Sequence, residues 1–347
     1  FSSRRRHTRS FHVTGVQTCA LPISAQAAGL PVKAVNVVTT FMGGSFGRRM
    51  DSDFVVEAVQ MAKHVQRPVQ SFWSRDDDMR YGAFRPANRA RIRGAVNADG
   101  RIAAWSMKMA GPPMALDGVS LLYDVPNFTE EHVRVNFPVN IAAWRSVGAS
   151  NNGFLIESFV NELAHAAKAD PVTFRLQHLS KEPRLRGVLQ RAASRSGWEL
   201  PLSAGRGRGV ACYRSFGSYV AIVAEVTVRD TGAIKIDRVV VAADCGILVN
   251  PDAVAAQMEG SVIFALGAAL LSEITFKNGL AEQANFLDYP ILRYAEAPVI
   301  EVHLVESRDP PGGAGEPGVP PVAPAIANAV FAATGRRIRS LPIRLAQ

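Results

Sequence analysis

A Val- and Thr-rich run over residues 32–40 leads into a glycine-rich stretch, which predicts a short strand ending in a loop. Downstream, Val55, Ala58, Val59 and Ala62 recur at helical spacing, so a helix is expected to open at Asp51 or Ser52 and to stop before Pro68. Strands follow near residues 69–74, 90–96 and 102–108, the last two joined through the turn signal Asp99-Gly100. Leu155, Phe159, Leu163 and Ala166 mark the apolar face of a longer helix, with Asn151 or Asn152 as its cap. Asp170 before Pro171 opens another helix, and residues 185–197 form the next.

Residues 200–209 contain Pro201, three glycines and two arginines and are the best linker candidate. Beyond them, residues 219–228 and 234–243 read as a hairpin about Thr231-Gly232. A long helix over residues 251–271 precedes a second hairpin at Asn278-Gly279, then a strand at 299–305 and a helix at 322–334 that Gly335 can cap. Hairpins mixed with helices predict an α+β fold rather than a parallel doubly wound sheet. No internal repeat is visible.

Residues 1–23 stand apart. The runs SRRRHTR (residues 3–9) and VTGVQTCALPI (residues 13–23) resemble in-frame translations of the two constant parts of a short-read sequencing adapter. A basic, Ser-rich start also fits a targeting peptide, but no apolar stretch of secretory-signal length accompanies it. These residues are therefore expected to lie outside the fold, with the natural sequence beginning near Ser24, already inside a domain. They carry four arginines and no acid, so the formal charge of +9 falls to +5 without them. No Lys/Arg-rich block remains beyond short pairs, which leaves a nucleic-acid footprint without support. The remaining length is enough for two portions, residues 24–200 and 201–347. The longest apolar stretch, residues 262–271, is well short of the ~20 residues that cross a bilayer.

With Cys19 set aside, Cys212 and Cys245 are too few and too far apart for a disulfide scaffold, a zinc ribbon or an iron–sulfur cluster. His64, His132, His165, His178 and His303 show no metal-ligand spacing. Any metal must be held by something other than side chains. Asp76-Asp77-Asp78 fits a solvated turn better than a metal site, and Asp244-Cys245 fits a buried inert thiol better than a redox centre.

Three segments carry compositions that packing alone does not require. Gly43, Gly44, Ser45, Phe46 and Gly47, followed by Arg48-Arg49, could bring backbone N–H groups close to an anion or could be a tight turn. Ala143, Trp144, Arg145 and Ser146 precede a helix start, and by themselves read best as a capping loop with a surface arginine. Residues 310–324 hold one carboxylate, Glu316, among glycines and prolines. Pro317 pushes Glu316 into an extended conformation, and so apolar a loop would solvate the acid poorly, moving it toward the range of a general base. A solvated loop glutamate is the alternative reading.

Taken in order, GGSFGRR, AWRSVGASNNGFLIESFVNELA, DCGILVNPDAVAAQMEG and GGAGEPGVPPVAPAIANAVFAATG resemble the molybdopterin-binding subunit of isoquinoline-oxidoreductase-type enzymes, relatives of xanthine dehydrogenase and aldehyde oxidase. The similarity runs from about Val32 to Ile343, the C-terminal part of such a subunit. It implies molybdenum carried by molybdopterin cytosine dinucleotide, with [2Fe–2S] clusters on a separate small iron–sulfur subunit. It implies that Gly43 to Gly47 and Ala143 to Ser146 approach the cofactor, that Gln257 holds it, and that Glu316 is the catalytic base. The implied reaction places a water-derived oxygen on an electron-poor carbon of an aldehyde or nitrogen heteroaromatic. Ser45 stands where many such proteins carry glycine, and a further cofactor loop of Met-Gly-Gln-Gly type is missing from the sequence. Two other readings are weaker. A nucleotide-binding dehydrogenase would need a GxGxxG pattern and a ribose-binding acid, neither of which accompanies residues 43–47. A non-catalytic scaffold would have little reason to keep Glu316 and the glycine loops.

Overall fold

A computed structural model describes residues 11–38, 40–116 and 121–345. Helix α1 (Phe11–Ala28) leads through a 3-10 turn, Val32–Ala34, to α2 (Asp53–Val65) and α3 (Arg75–Tyr81). A first sheet follows. Strands β1 (Arg89–Val96) and β2 (Ile102–Gly111) are antiparallel about Asp99-Gly100, and after the short helix α4 (Pro113–Leu116), β3 (Phe128–Arg134) adds parallel to β2. Helices α5 (Gly148–Ala166), α6 (Pro171–Gln177) and α7 (Pro183–Ser196) separate it from a second sheet. There β4 (Arg206–Ser215), β5 (Ser218–Val228) and β6 (Ile234–Asp244) form an antiparallel meander. Helix α8 (Pro251–Leu270) and the hairpin β7 (Phe276–Lys277)–β8 (Leu280–Ala281) then lead to β9 (Val299–Leu304), parallel to β6, and α9 (Val322–Thr334) ends the fold. The architecture is α+β, as the mixture of hairpins and helices predicts.

Six expectations are corrected. Residues 11–23 lie in α1 rather than outside the fold; α1 packs against α2, and Ala20, Ser24 and Ala25 are buried. Residues 1–10 lie outside the described residues. Residues 32–38 and 69–74 are not strands, because among the described residues no neighbouring edge pairs with them, and Val38 is 77% exposed; residue 39 lies outside the described residues. Asp76, Asp77 and Asp78 sit not in a turn but in the first turn of α3, where Ser74 and Asp77 cap each other reciprocally and negative charge suits the helix dipole. Helix α5 starts at Gly148 behind Val147, so Asn151 and Asn152 are its fourth and fifth residues rather than its cap. Residues 200–209 do not separate two bodies: Gly207 and Gly209 belong to β4, where a Cβ would stand 2.1 Å from the Ala329 backbone. These glycines let α9 lie directly on the strand.

The second sheet is covered on both faces, which explains its nearly continuous burial. Along β5 and β6, Ala221, Val223, Val240 and Ala242 join the core beneath α5 and α7. The alternate residues Val220, Ile222, Ala224, Val239 and Val241 join the core beneath α8 and α9. The first core also takes in Ile102, Trp105 and Met107 of β2, so it runs across residue 200 without a break.

A buried ion pair ties these layers together. Glu157 of α5 and Arg175 of α6 are 0% exposed and 2.9 Å apart. Glu157 also accepts from Tyr123 Oη at 2.5 Å and from the Cys212 amide of β4 at 2.9 Å. Arg175 donates back to the Glu157 and Pro171 carbonyls. Burial opposes the charge on Arg175, and Glu157 more than offsets it, so the guanidinium stays ionised. Removing one partner strands the other in the core, and Arg175→Met is expected to lower unfolding stability by about 3–5 kcal/mol. Denaturant unfolding of the chain checks this, against Arg344→Met at an exposed pair, which should cost less than about 1 kcal/mol.

Candidate active site

The three segments singled out in the sequence converge. In the first, Gly47 has φ +104°, and a Cβ there would stand 2.1 Å from the Ala143 carbonyl oxygen, so only glycine lets this loop lie on the second segment. Phe46, at φ +51°, adopts a backbone conformation that side chains seldom take, and its ring stacks on Phe264 of α8 at 5.3 Å. Gly44 lies directly over the Phe46 ring, whereas Gly43 meets nothing within 4 Å and Ser45 contributes only its carbonyl, to the turn with Arg48. Arg48 forms a two-bond fork with Asp53 at the start of α2, which explains that arginine without an anion.

The second segment is strained where it enters α5. Ser146 (φ +79°) and Val147 (φ +48°) are consecutive non-glycine residues in the left-handed region, a cost that surrounding contacts must hold in place. Trp144 stacks on Phe264 at 4.5 Å, and the Arg85 guanidinium lies 4.0 Å from the Trp144 ring while donating to Ser150 Oγ and Asn151 Oδ1. Burial lowers the Arg85 pKa to about 10. Arg145 is no surface arginine: it is 8% exposed, and its Nε and Nη2 donate to groups inside the protein. The capping-loop reading of this segment is therefore overturned.

The third segment is pinned at both ends. Gly312 and Gly313 donate to the carbonyls of Cys245 and Phe216, and a Cβ on Gly318 would stand 2.7 Å from Ser261 Cβ, so the chain after Glu316 rests on α8. Glu316 is half-buried. Its Oε2 accepts from the Ser146 amide at 2.8 Å, and the preceding carbonyl, Gly315, accepts from Arg145 Nε at 2.6 Å. The carboxylate thus sits at the entry to α5, the positive end of a 19-residue helix whose first turn has no side-chain cap.

Sequence reasoning missed three residues here: Arg85, Ser261 and Phe264. Phe264 was hidden in an apolar run that reads as core. Gln257, Ser261 and Phe264 fall at i, i+4 and i+7 on one stripe of α8, and that spacing could have revealed them. Both thiols lie outside the site; burial pushes Cys212 and Cys245 upward, which keeps them inert. A groove of about 610 Å³ lies on the first sheet, lined by Arg93, Trp105, Asn127 and Phe128. It holds none of the converging residues.

These residues fit a cofactor that brings its own metal ligands. Among the described residues no group of three or more His, Cys, Asp or Glu side chains could hold a metal. The cradle offers backbone at glycines, the Ser146 hydroxyl is fully buried without a hydrogen-bond partner, and Gln257 is exposed beside it. The loop at residues 43–47 does not run from a strand into an α-helix, so it lacks the context of a dinucleotide-binding turn.

Comparison with known proteins agrees with the geometry. Two family models, each described as a molybdopterin cofactor-binding domain, match residues 14–179 and 161–298. The chain belongs to this molybdopterin-binding family, of the xanthine oxidase type. It is 33% identical to the beta chain of isoquinoline 1-oxidoreductase from Brevundimonas diminuta, over 92% of the chain and 44% of that protein. It is 34% identical to a nicotinate dehydrogenase subunit from Pseudomonas putida, over 89% of the chain and 29% of that protein. The chain thus spans less than half the length of these curated relatives. Quinoline 2-oxidoreductase from Pseudomonas putida 86 shares the fold with a TM-score of 0.81 at 13% identity, covering 94% of this chain and 70% of that one.

The contrast between two glycines checks the cradle. In the full-length subunit, Gly47→Ala is expected to lower molybdenum per protein by about tenfold or more, the scale of losing a supporting contact at a metal site. Gly187→Ala, in α7 away from the site and facing open space, should leave molybdenum content unchanged. Elemental analysis of the two purified variants reads the difference.

Proposed function

We propose that this chain supplies much of the active site of a molybdenum hydroxylase that places a water-derived oxygen on an electron-poor carbon of a nitrogen heteroaromatic or an aldehyde. The observation that carries this reading is the position of Glu316, held by the Ser146 amide where the three loops meet. The names of two relatives, for isoquinoline and nicotinate, support a heteroaromatic substrate class. Cofactor contacts are assigned to the backbone of Gly43, Gly44, Ser45, Phe46 and Gly47, to Ala143, Trp144, Arg145 and Ser146, and to Gln257. The cofactor is molybdopterin cytosine dinucleotide, and the partner is a small subunit with [2Fe–2S] clusters.

When bound, the cofactor supplies the oxygen-transfer and two-electron chemistry. The chain's own contribution is position and proton handling. The Ser146 N–H occupies Oε2 of Glu316, which leaves Oε1 as the oxygen that takes a proton. Phe46, Trp144 and Phe264 form an apolar, aromatic wall beside the acid. Such a wall limits water and suits a planar ring.

Glu316→Gln in the full-length subunit with its partner tests the base. The expected result is a fall in kcat of about 10²–10⁴-fold at unchanged molybdenum content. A kcat within about tenfold of wild type, ~1.4 kcal/mol, would remove Glu316 from the role.

A further inference from the structure

Arg145 is a cation buried in a place where no carboxylate pairs with it directly. Its Nε donates to Gly315 O at 2.6 Å. Its Nη2 donates to Ser261 Oγ at 2.9 Å, to Gln257 Oε1 at 3.0 Å and to Gln257 O at 3.2 Å. Burial lowers the Arg145 pKa, and the nearby charge of Glu316 works the other way. A guanidinium in such surroundings is costly unless its donors are satisfied, and here the acceptors fall on two separate elements: the residue before Glu316, and one turn of α8.

We infer that Arg145 is a positioning residue that sets Glu316 and Gln257 together. By holding the Gly315 carbonyl, it fixes the backbone from which the Glu316 side chain reaches the Ser146 amide. By occupying Oε1 of Gln257, it fixes which way that amide faces, so that Nε2, a hydrogen-bond donor, stands on the exposed side of the helix. Ser261 is the pivot. Its hydroxyl accepts from Arg145 and donates to Gln257 O at 2.7 Å, and the chain at Gly318 rests on its Cβ. A planar fork with several directed donors is needed to reach Gly315 and α8 at once; a lysine ammonium has the charge without that geometry. Gln257 therefore meets its ligand as a donor, and the group it faces is an acceptor such as an oxo, carbonyl or phosphate oxygen. The inference rests on the proposed function, with Glu316 as base.

The experiment uses the full-length subunit with its cofactor and iron–sulfur partner, and measures kcat, KM, thermal midpoint and molybdenum per protein for Arg145→Lys, Ser261→Ala and Gln257→Glu. Displacing the reacting groups by an ångström is worth about 100-fold, so Arg145→Lys should lose about that much in kcat per bound molybdenum while KM stays within about threefold and molybdenum content falls by less than about tenfold. Ser261→Ala, which removes one acceptor and little volume, should lose about tenfold in kcat with the same pattern and fold normally. Gln257→Glu keeps an acceptor for Arg145 but has no donor, and should lower molybdenum content about tenfold or more. The inference is overturned if Arg145→Lys and Ser261→Ala keep kcat within about threefold, or if their activity falls only in step with molybdenum content. Full effect of Glu316→Gln beside inert Arg145→Lys and Ser261→Ala brings down the clamp alone, whereas an inert Glu316→Gln brings down the functional reading beneath it.

Discussion

The Ser146 amide donates to Glu316 across 170 residues of chain, and this one bond requires two independently supported segments to arrive at the same point. On one side is the start of α5. That helix is held from behind by Glu157, whose ion pair with Arg175 and bond to the Cys212 amide fix α5 against α6 and β4. On the other side is the proline-rich loop that links β9 to α9, fastened to the strand ends through Cys245 and Phe216. The depth of the core thus serves the site: α5 packs against the edge strand β4 and against α9, and the segments preceding α5 and α9 meet.

The site also stores strain. Phe46, Ser146 and Val147 all sit in the left-handed region, where a β-branched residue such as Val147 is especially disfavoured. Stacking of Phe46 and Trp144 on Phe264 holds two of the three loops to α8, and the Arg145 network holds the third. All three loops therefore share contacts to the same helix, in addition to their backbone hydrogen bonds. Helix α8 is apolar on nearly all sides although only one face is buried, which is consistent with a second face kept for the site.

From β5 onward the fold was legible in the sequence to within a residue or two, whereas β4 was missed because its glycines and arginines read as a linker. Turn signals at Thr231-Gly232 and Asn278-Gly279 and the cap at Gly335 are local, and the two strands joined at Thr231-Gly232 are buried on both faces. The first half was harder. Residues 32–38 and 69–74 have strand composition without a paired edge, and β3, with Glu130, Glu131 and Arg134, is an exposed edge strand whose charges conceal it. Glu316 and the glycine loops stood out in the sequence by composition, and close packing of the loops accounts for glycine at Gly47, Gly312 and Gly318. Arg145 was misread as a surface residue, since its partner Gly315 lies 170 residues away and leaves no local signal, and Phe264 passed unnoticed inside an apolar run. The pairing of Arg145 with Ser261 is in the same position: two ordinary residues, meaningful only once α8 and the loop are in contact.

The central claim is that the cofactor metal lies where these three loops meet. Anomalous diffraction at the molybdenum edge, from crystals of the full-length subunit, tests it most directly. The account predicts a single strong peak bounded by Glu316, Gln257 and the backbone of Phe46, Gly47 and Ala143 to Ser146. A peak elsewhere, for instance over the groove beside Trp105 and Asn127 on the first sheet, with Glu316 turned toward bulk solvent, would contradict it.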